Sequence, residues 1–262
     1  MNYLEEHYNK FYEEKRLDSR HGQVEYRLTM KYVREYLDRI KKPAEQIRIA
    51  DIGAGTGRYA VPLAKAGYDV TAVELVQHNL GIMKKKNSPV KCMKGDARKL
   101  KKLKDEDFDL VLLLGPLYHL FTFEDKLTAL TEAKRIARSG GFIFAGYLMN
   151  EYGILTYGFK ERHILEVKQE NRVDESFRCV SHEKDLYDYV RTETIDALKD
   201  AAGLERKVLF SPDGPANYMR PFLNALSEEE FEEFISYQEA VAERKDLLGA
   251  AAHTVDILEK LR

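Results

Sequence analysis

The sequence predicts an α/β fold built on a parallel sheet. Three observations carry it. Short apolar segments alternate with helical ones from Ile47 onward, and a glycine-rich turn follows the first of them. The segment 108–114, Phe-Asp-Leu-Val-Leu-Leu-Leu, is strongly apolar on both faces, as a strand covered by helices on both sides must be.

Each element has its own signal. Residues 2–40 read as helical: Tyr3, Leu4, Tyr8, Phe11 and Tyr12 recur at helical spacing, and Leu28, Tyr32, Val33, Tyr36, Leu37 and Ile40 do so after a polar break at 18–22. Pro43 stops the second helix, since its ring disfavours helical geometry in the residue before it. Strands follow over 47–51, 69–74, 90–94, 108–114 and 141–147, with helices over 58–66, 79–86 and 123–137 between them. The stretch 150–188 is polar and less regular. A helix over 192–202 ends at Gly203, a sixth strand covers 204–210, and Ser211-Pro212-Asp213-Gly214-Pro215 makes a turn. Ser227 caps a helix over 227–244 with an acidic first turn. The last segment, 251–260, fits helix or strand equally well.

Composition narrows the function. The chain has 262 residues, which suits one large α/β domain, or one domain with a modest cap, better than two full domains. At 44% hydrophobic and 33% charged it can bury a core and is not compositionally disordered. Its net charge of -2 lacks the basic bias of a protein that holds a long nucleic-acid backbone. Cys92 and Cys179 stand far apart in no metal-ligand spacing, so no metal site is expected. The N-terminus has no apolar signal core, and no apolar run spans a bilayer. The expectation is a soluble cytoplasmic protein, monomer or homodimer, without a nucleic-acid or membrane partner.

The chemistry begins at Ile47-Arg48-Ile49-Ala50-Asp51-Ile52-Gly53-Ala54-Gly55-Thr56-Gly57. Glycines between a strand and a helix allow positive backbone angles and close approach of a ligand. The dinucleotide pattern would place a third glycine at position 58, where this chain has Arg58, and no Lys-Ser or Lys-Thr follows as a P-loop requires. Glu74 ends the second strand, where a carboxylate can accept from both hydroxyls of a ribose. Asp96 lies just past the third strand, where it can accept from an adenine amine while the Ala97 amide donates to the ring. Three acids at the carboxyl ends of three successive strands, with a glycine turn at the first, form a specific arrangement.

At this point the sequence resembles the class I S-adenosylmethionine-dependent methyltransferases of small-molecule type. The resemblance rests on Asp51-Ile52-Gly53-Ala54-Gly55-Thr56-Gly57, Val73-Glu74-Leu75, Gly95-Asp96-Ala97, Phe108-Asp109-Leu110-Val111 and Arg138-Ser139-Gly140-Gly141, and covers about residues 20–210. Ser139 stands where the family often has proline. The resemblance implies S-adenosylmethionine as cofactor, with S-adenosylhomocysteine as product. It implies a cofactor site of Asp51, Gly53, Ala54, Gly55, Gly57, Glu74, Leu75, Asp96, Ala97 and Leu114. For the fold it implies a Rossmann-like seven-stranded sheet in order 3-2-1-4-5-7-6, strand 7 antiparallel, with helices on both faces. Segment 251–260 then becomes a strand. Residues 1–42 become an N-terminal helical cap on a methyltransferase domain over 43–262, with lid insertions at about 150–188 and 212–250.

The acceptor should meet the methyl group at Leu114-Gly115-Pro116-Leu117-Tyr118-His119-Leu120. Methyltransferases of exocyclic base amines carry Asn/Asp-Pro-Pro-Tyr here, and Leu114 cannot supply that polar side chain. The run is similar to that of small-molecule methyltransferases. His119 is the candidate base, with an unperturbed pKa near neutrality, and Tyr118 a candidate for orienting the acceptor. Tyr147 reads as substrate-facing or as core. Arg16, Arg20 and Arg27 could meet an acidic substrate or the cofactor carboxylate, or be ordinary exposed arginines. The leading expectation is in-line methyl transfer to a small molecule. An RNA or protein methyltransferase, favoured by a positive face from 84–86 and 99–104, and a non-catalytic S-adenosylmethionine-binding protein are the alternatives. A nicotinamide dehydrogenase is disfavoured by Arg58.

Overall fold

The computed structural model describes residues 19–182 and 184–261. The expected first helix, with its stripe of Tyr3, Leu4, Tyr8, Phe11 and Tyr12, and Arg16 lie outside the described residues. Seven strands make one sheet: β1 (Arg48–Ile52), β2 (Asp69–Glu74), β3 (Lys91–Lys94), β4 (Phe108–Leu113), β5 (Ala137–Leu148), β6 (Glu205–Phe210) and β7 (His253–Glu259). Their order is β3-β2-β1-β4-β5-β7-β6. Pairing is parallel from β3 through β5 and antiparallel on both sides of β7. The ambiguous last segment is thus an inner strand.

Alternation along the strands sorts the core into two layers. Ile49, Leu110, Leu112, Phe144 and Ile257 face one side. Ala50, Ile52, Val111, Leu113, Ile143 and Leu258 face the other. The first side is covered by α1 (Arg20–Arg39), α2 (Ala60–Lys65) and α3 (Gln77–Lys85), the second by α4 (Phe123–Ile136) and α7 (Thr192–Ala202). Gly203 closes α7 in the left-handed conformation, φ 60°. Between β5 and α7 lie α5 (Asn150–Gly153), a π-helical stretch (Ile154–Lys160) and α6 (Ile164–Gln169). Between β6 and β7 lie α8 (Arg220–Ala225), α9 (Glu228–Val241) and α10 (Lys245–Leu248). Ser227 and Glu230 form a reciprocal capping box on α9.

Two expectations shift. The polar break over 18–22 is instead the start of α1, because Ser19 caps it and its hydroxyl accepts from the Gly22 amide. The fifth strand begins at Ala137, four residues early: Ala137 pairs with Phe108, and the ladder then resumes at Phe142 opposite Leu110, so Arg138–Gly141 bulge out.

Helix α1 belongs to the packed layer. Tyr36 sets its ring edge against Phe142 and Phe144, at 4.8 and 5.7 Å, and Tyr32 stacks on Phe210 at 3.9 Å. The same helix holds α8 and α9. Arg20 donates to the Leu223 and Leu226 carbonyls at 3.1 and 2.7 Å, and Arg27 pairs with both oxygens of Glu232 at 2.7 Å. Arg20 and Arg27 are therefore structural contacts rather than groups facing an acidic substrate. Tyr147 is core, 1% exposed.

Two buried carboxylates invite tests. Asp256, fully buried on β7, is gripped by Arg206 of β6 through Nε and Nη2 at 2.8 and 2.7 Å. Removing one partner of such a pair leaves an uncompensated charge, while replacing both with apolar groups does not. Arg206→Met should cost about 3 kcal/mol in urea denaturation, and Arg206→Met/Asp256→Leu should recover most of it. Asp51, at the end of β1, accepts from the Ala60 amide at 3.1 Å, which anchors the start of α2. Burial pushes its carboxyl from the ordinary 3.8 up to about 7; the Ala60 amide opposes the rise and nearby Glu74 adds to it. A raised carboxyl favours the fold while protonated. Its contribution is full below 3.8 and falls as pH rises to about 7. The stability of the wild type relative to Asp51→Asn should decline through that window and level off above it.

Candidate active site

The strands place their carboxyl ends around a cavity of about 470 Å³, within the roughly 300–1,000 Å³ range of small-ligand sites. Its floor is the glycine turn. Gly53 has φ +75°, and a Cβ there would stand 2.6 Å from the Pro116 ring, so the turn after β1 and the loop after β4 touch. Gly53 and Ala54 donate to the Val73 carbonyl at 2.8 and 3.1 Å, which ties the turn to β2. Gly55 has φ +55° and no heavy atom within 4 Å of where its Cβ would be, so its bare backbone faces the cavity.

Glu74 ends β2 at 5% exposure. One carboxylate oxygen accepts from the Gly55 amide at 2.8 Å and the other from the Val76 amide at 2.7 Å. Burial pushes its carboxyl up, while those amides and the Asn79 side chain oppose the rise. Asp96 lies past β3 and is clasped by Arg98, whose Nε and Nη2 donate to it at 3.1 and 2.8 Å. The Arg98 contact holds the Asp96 carboxyl below the usual carboxylate range against the opposing effect of burial. Arg98 also reaches Asp125 at 2.9 Å, just inside α4, where Thr122 caps the helix by accepting from the Asp125 amide. The ionisable lining comprises four carboxylates (Glu74, Asp96, Asp125 and Asp185) against the Arg98 guanidinium, with His119 beside them.

The opposite end is the short 3₁₀ helix Pro116–His119. The His119 Nδ1 lies 2.8 Å from the Leu186 carbonyl. A carbonyl only accepts, so Nδ1 carries the proton and Nε2 is the basic nitrogen of the neutral ring. The Tyr118 carbonyl accepts from the Asp188 amide at 2.8 Å. Lys126 of α4, 3% exposed, donates to Asp188 at 2.6 Å and also to the Leu120 carbonyl. Residues 185–188 are thus fastened to the loop after β4, and Asp185 and Leu186 form one wall of the cavity.

Gly53, Gly55, Glu74, Leu75, Asp96, Ala97, Tyr118 and His119 therefore line one space. Asp51, Ala54, Gly57 and Leu114 are not part of that lining. Asp51 turns to α2, Gly57 gives room to Met83 (a Cβ would stand 2.7 Å from its Cγ), and Leu114 packs on the first core layer. Sequence reasoning passed over Asn79, Arg98, Asp125, Asp185 and Leu186. Only Arg98 had a signal, its position two residues past Asp96.

The comparisons with known proteins agree with this geometry. The family model described as "Methyltransferase domain" matches residues 50–145. A glycine/sarcosine N-methyltransferase of Aphanothece halophytica is 30% identical over 44% of this chain and 45% of its own length. A demethylmenaquinone methyltransferase of Streptomyces avermitilis is 34% identical over 38% of this chain and 41% of its own. The chain thus spans less than half the length of these curated relatives. Among solved structures, an S-adenosylmethionine-dependent methyltransferase of Thermotoga maritima shares the fold, with a TM-score of 0.51 and 24% identity over 91% of this chain and 99% of that one. Residues 50–145 thus match the methyltransferase domain family, and the sheet order is that of the Rossmann-like methyltransferase fold.

Proposed function

We propose that this chain transfers a methyl group from S-adenosylmethionine to a small-molecule acceptor. The acidic cavity at the strand ends carries the reading. Its carboxylates suit a donor that brings a sulfonium, an ammonium, an amino group and two hydroxyls, and they repel phosphate. The bare backbone at Gly55 gives such a ligand its close approach. Glu74 holds the ribose hydroxyls, its carboxylate set in place by the Gly55 and Val76 amides and the Asn79 side chain. Asp96 and Ala97 hold the adenine, Leu75 lines its pocket, and Gly53 to Gly55 follow the methionine portion. Asp51, Ala54, Gly57 and Leu114 support these residues from behind.

The donor supplies an already activated methyl group, so the protein aligns the acceptor and excludes water. Tyr118 and His119 border the acceptor end, and residues 185–188 roof it. This roof is the part of the expected 150–188 lid that bears on the site. A polymer acceptor would need an open basic approach. The lysines at 84–86 and 99–104 lie outside the lining, whose own charge is acidic.

Calorimetry tests the reading. S-adenosylmethionine should bind the wild type. Glu74→Gln, which loses one charged acceptor and turns an amide donor toward the Gly55 or Val76 N–H, should bind roughly 10- to 100-fold more weakly. An unchanged Kd in Glu74→Gln, or no binding to the wild type, would reject the reading.

A further inference from the structure

The part of the cavity proposed for the adenine holds a cation as well as an acid. Arg98 lines it together with Asp96, Ala97 and Asp125. Its guanidinium forms a fork on Asp96: Nε donates to Oδ1 at 3.1 Å and Nη2 to Oδ2 at 2.8 Å. The Arg98 backbone amide donates to the same Oδ1 at 2.9 Å, so the chain turns around the carboxylate it grips. The third nitrogen, Nη1, donates to Asp125 Oδ2 at 2.9 Å. Asp125 is anchored in turn, because its own amide donates to the Thr122 hydroxyl at 3.1 Å at the start of α4. The guanidinium plane is therefore fixed from both sides.

These bonds decide which part of Asp96 is left for a ligand. Each carboxylate oxygen has about two acceptor positions. On Oδ1 the Arg98 amide and Nε take both. On Oδ2 the Arg98 Nη2 takes one, and among the described residues no other group donates to it. Asp96 thus offers one acceptor position, and the fork sets where it points. The 6-amino group of adenine has a hydrogen to give it. A 6-oxo group would set oxygen against oxygen instead, and the hydrogen on N1 of such a base would face the Ala97 amide, donor against donor. Stability does not account for the network. The side chains of Arg98, Asp96 and Asp125 are 39%, 32% and 40% exposed, and ion pairs that open to water contribute little to a fold.

Given the proposed binding of S-adenosylmethionine, on which this step rests, we infer that Arg98 determines base specificity: it aims the one open acceptor position of Asp96 at the 6-amino group and so selects adenine over a 6-oxopurine. Arg98 acts through Asp96 and is a positioning residue. Its fork matters as much as its charge, because a lysine ammonium is a point donor that cannot hold both carboxylate oxygens in one plane. Asp125 holds the far side of the guanidinium, which ties the base pocket to the start of α4.

Calorimetry on the full chain tests the assignment with two ligands, S-adenosylhomocysteine and its 6-oxo counterpart S-inosylhomocysteine. The ratio of their dissociation constants cancels any loss common to both, so a general weakening of the site leaves it unmoved. The wild type should favour the adenine form by roughly 100-fold or more. Arg98→Met should lower that preference by about 10-fold, and Arg98→Lys, which keeps the charge without the fork, should lower it as well. No preference in the wild type, or the same preference in wild type and both variants, would overturn the inference. Arg98→Met/Asp125→Asn also removes the acid that the single change leaves unpaired. The preference should stay low there, and its return to the wild-type value would show that Arg98 only offsets the Asp125 charge, which would overturn the positioning role. A wild type that binds neither ligand would sink the functional reading itself, whereas tight binding with an unmoved ratio would sink the Arg98 assignment alone.

Discussion

The close approach of Gly53 to Pro116 is the constraint on which the site depends. The turn after β1 and the loop after β4 belong to neighbouring strands, and a Cβ on Gly53 would stand 2.6 Å from the proline ring. Only a glycine with positive φ lets the two segments meet. That contact sets the carboxylates at the ends of β2 and β3 at a fixed separation from Tyr118 and His119. Glu74 then locks the turn from the other side by accepting from Gly55. The spacing between one half of the cavity and the other is therefore carried by backbone, and not by side chains that could swing away.

Charge follows from that geometry. Glu74 is nearly buried and accepts backbone amides, and among the described residues no lysine or arginine pairs with it. Asp96 is treated in the opposite way: Arg98 clasps it and a second acid, Asp125, together. One acid thus remains a strong acceptor deep in the pocket, while the acids toward α4 share a single guanidinium. A cationic ligand gains most from such a gradient when its hydroxyl-bearing part lies at Glu74.

Much of this was legible in the sequence because it is local. The strand and helix periods, the glycine turn, and the acids at Glu74 and Asp96 are all features of short windows, and they fall where the residues pointed. The strand character of His253–Glu259 was not legible from its own residues. Its Thr254 and Asp256 look like surface positions, yet both are fully buried, and Asp256 is tolerated inside only because Arg206 comes from the neighbouring strand. The resemblance supplied that strand where periodicity could not. The grouping of Glu25, Asp213 and His253 was equally hidden, since three distant segments meet there. Asp51 shows the converse: its place in the motif pointed to the ligand, while its carboxylate turns away to hold α2.

The roof adds a mechanical consequence. Residues 185–188 meet the loop after β4 through the His119 ring, the Tyr118 carbonyl and the Lys126–Asp188 pair. Lys126 is 3% exposed and Asp188 is 13% exposed. Lifting the roof would strand a buried ammonium, a loss of roughly 3–5 kcal/mol when one partner of a buried pair is removed. The wall at residues 185–188 is therefore as fixed as the glycine turn opposite it, and in the proposed transfer the reacting groups meet between two rigid surfaces. Alignment of this kind is what an in-line displacement needs from a protein whose cofactor already carries the activated group.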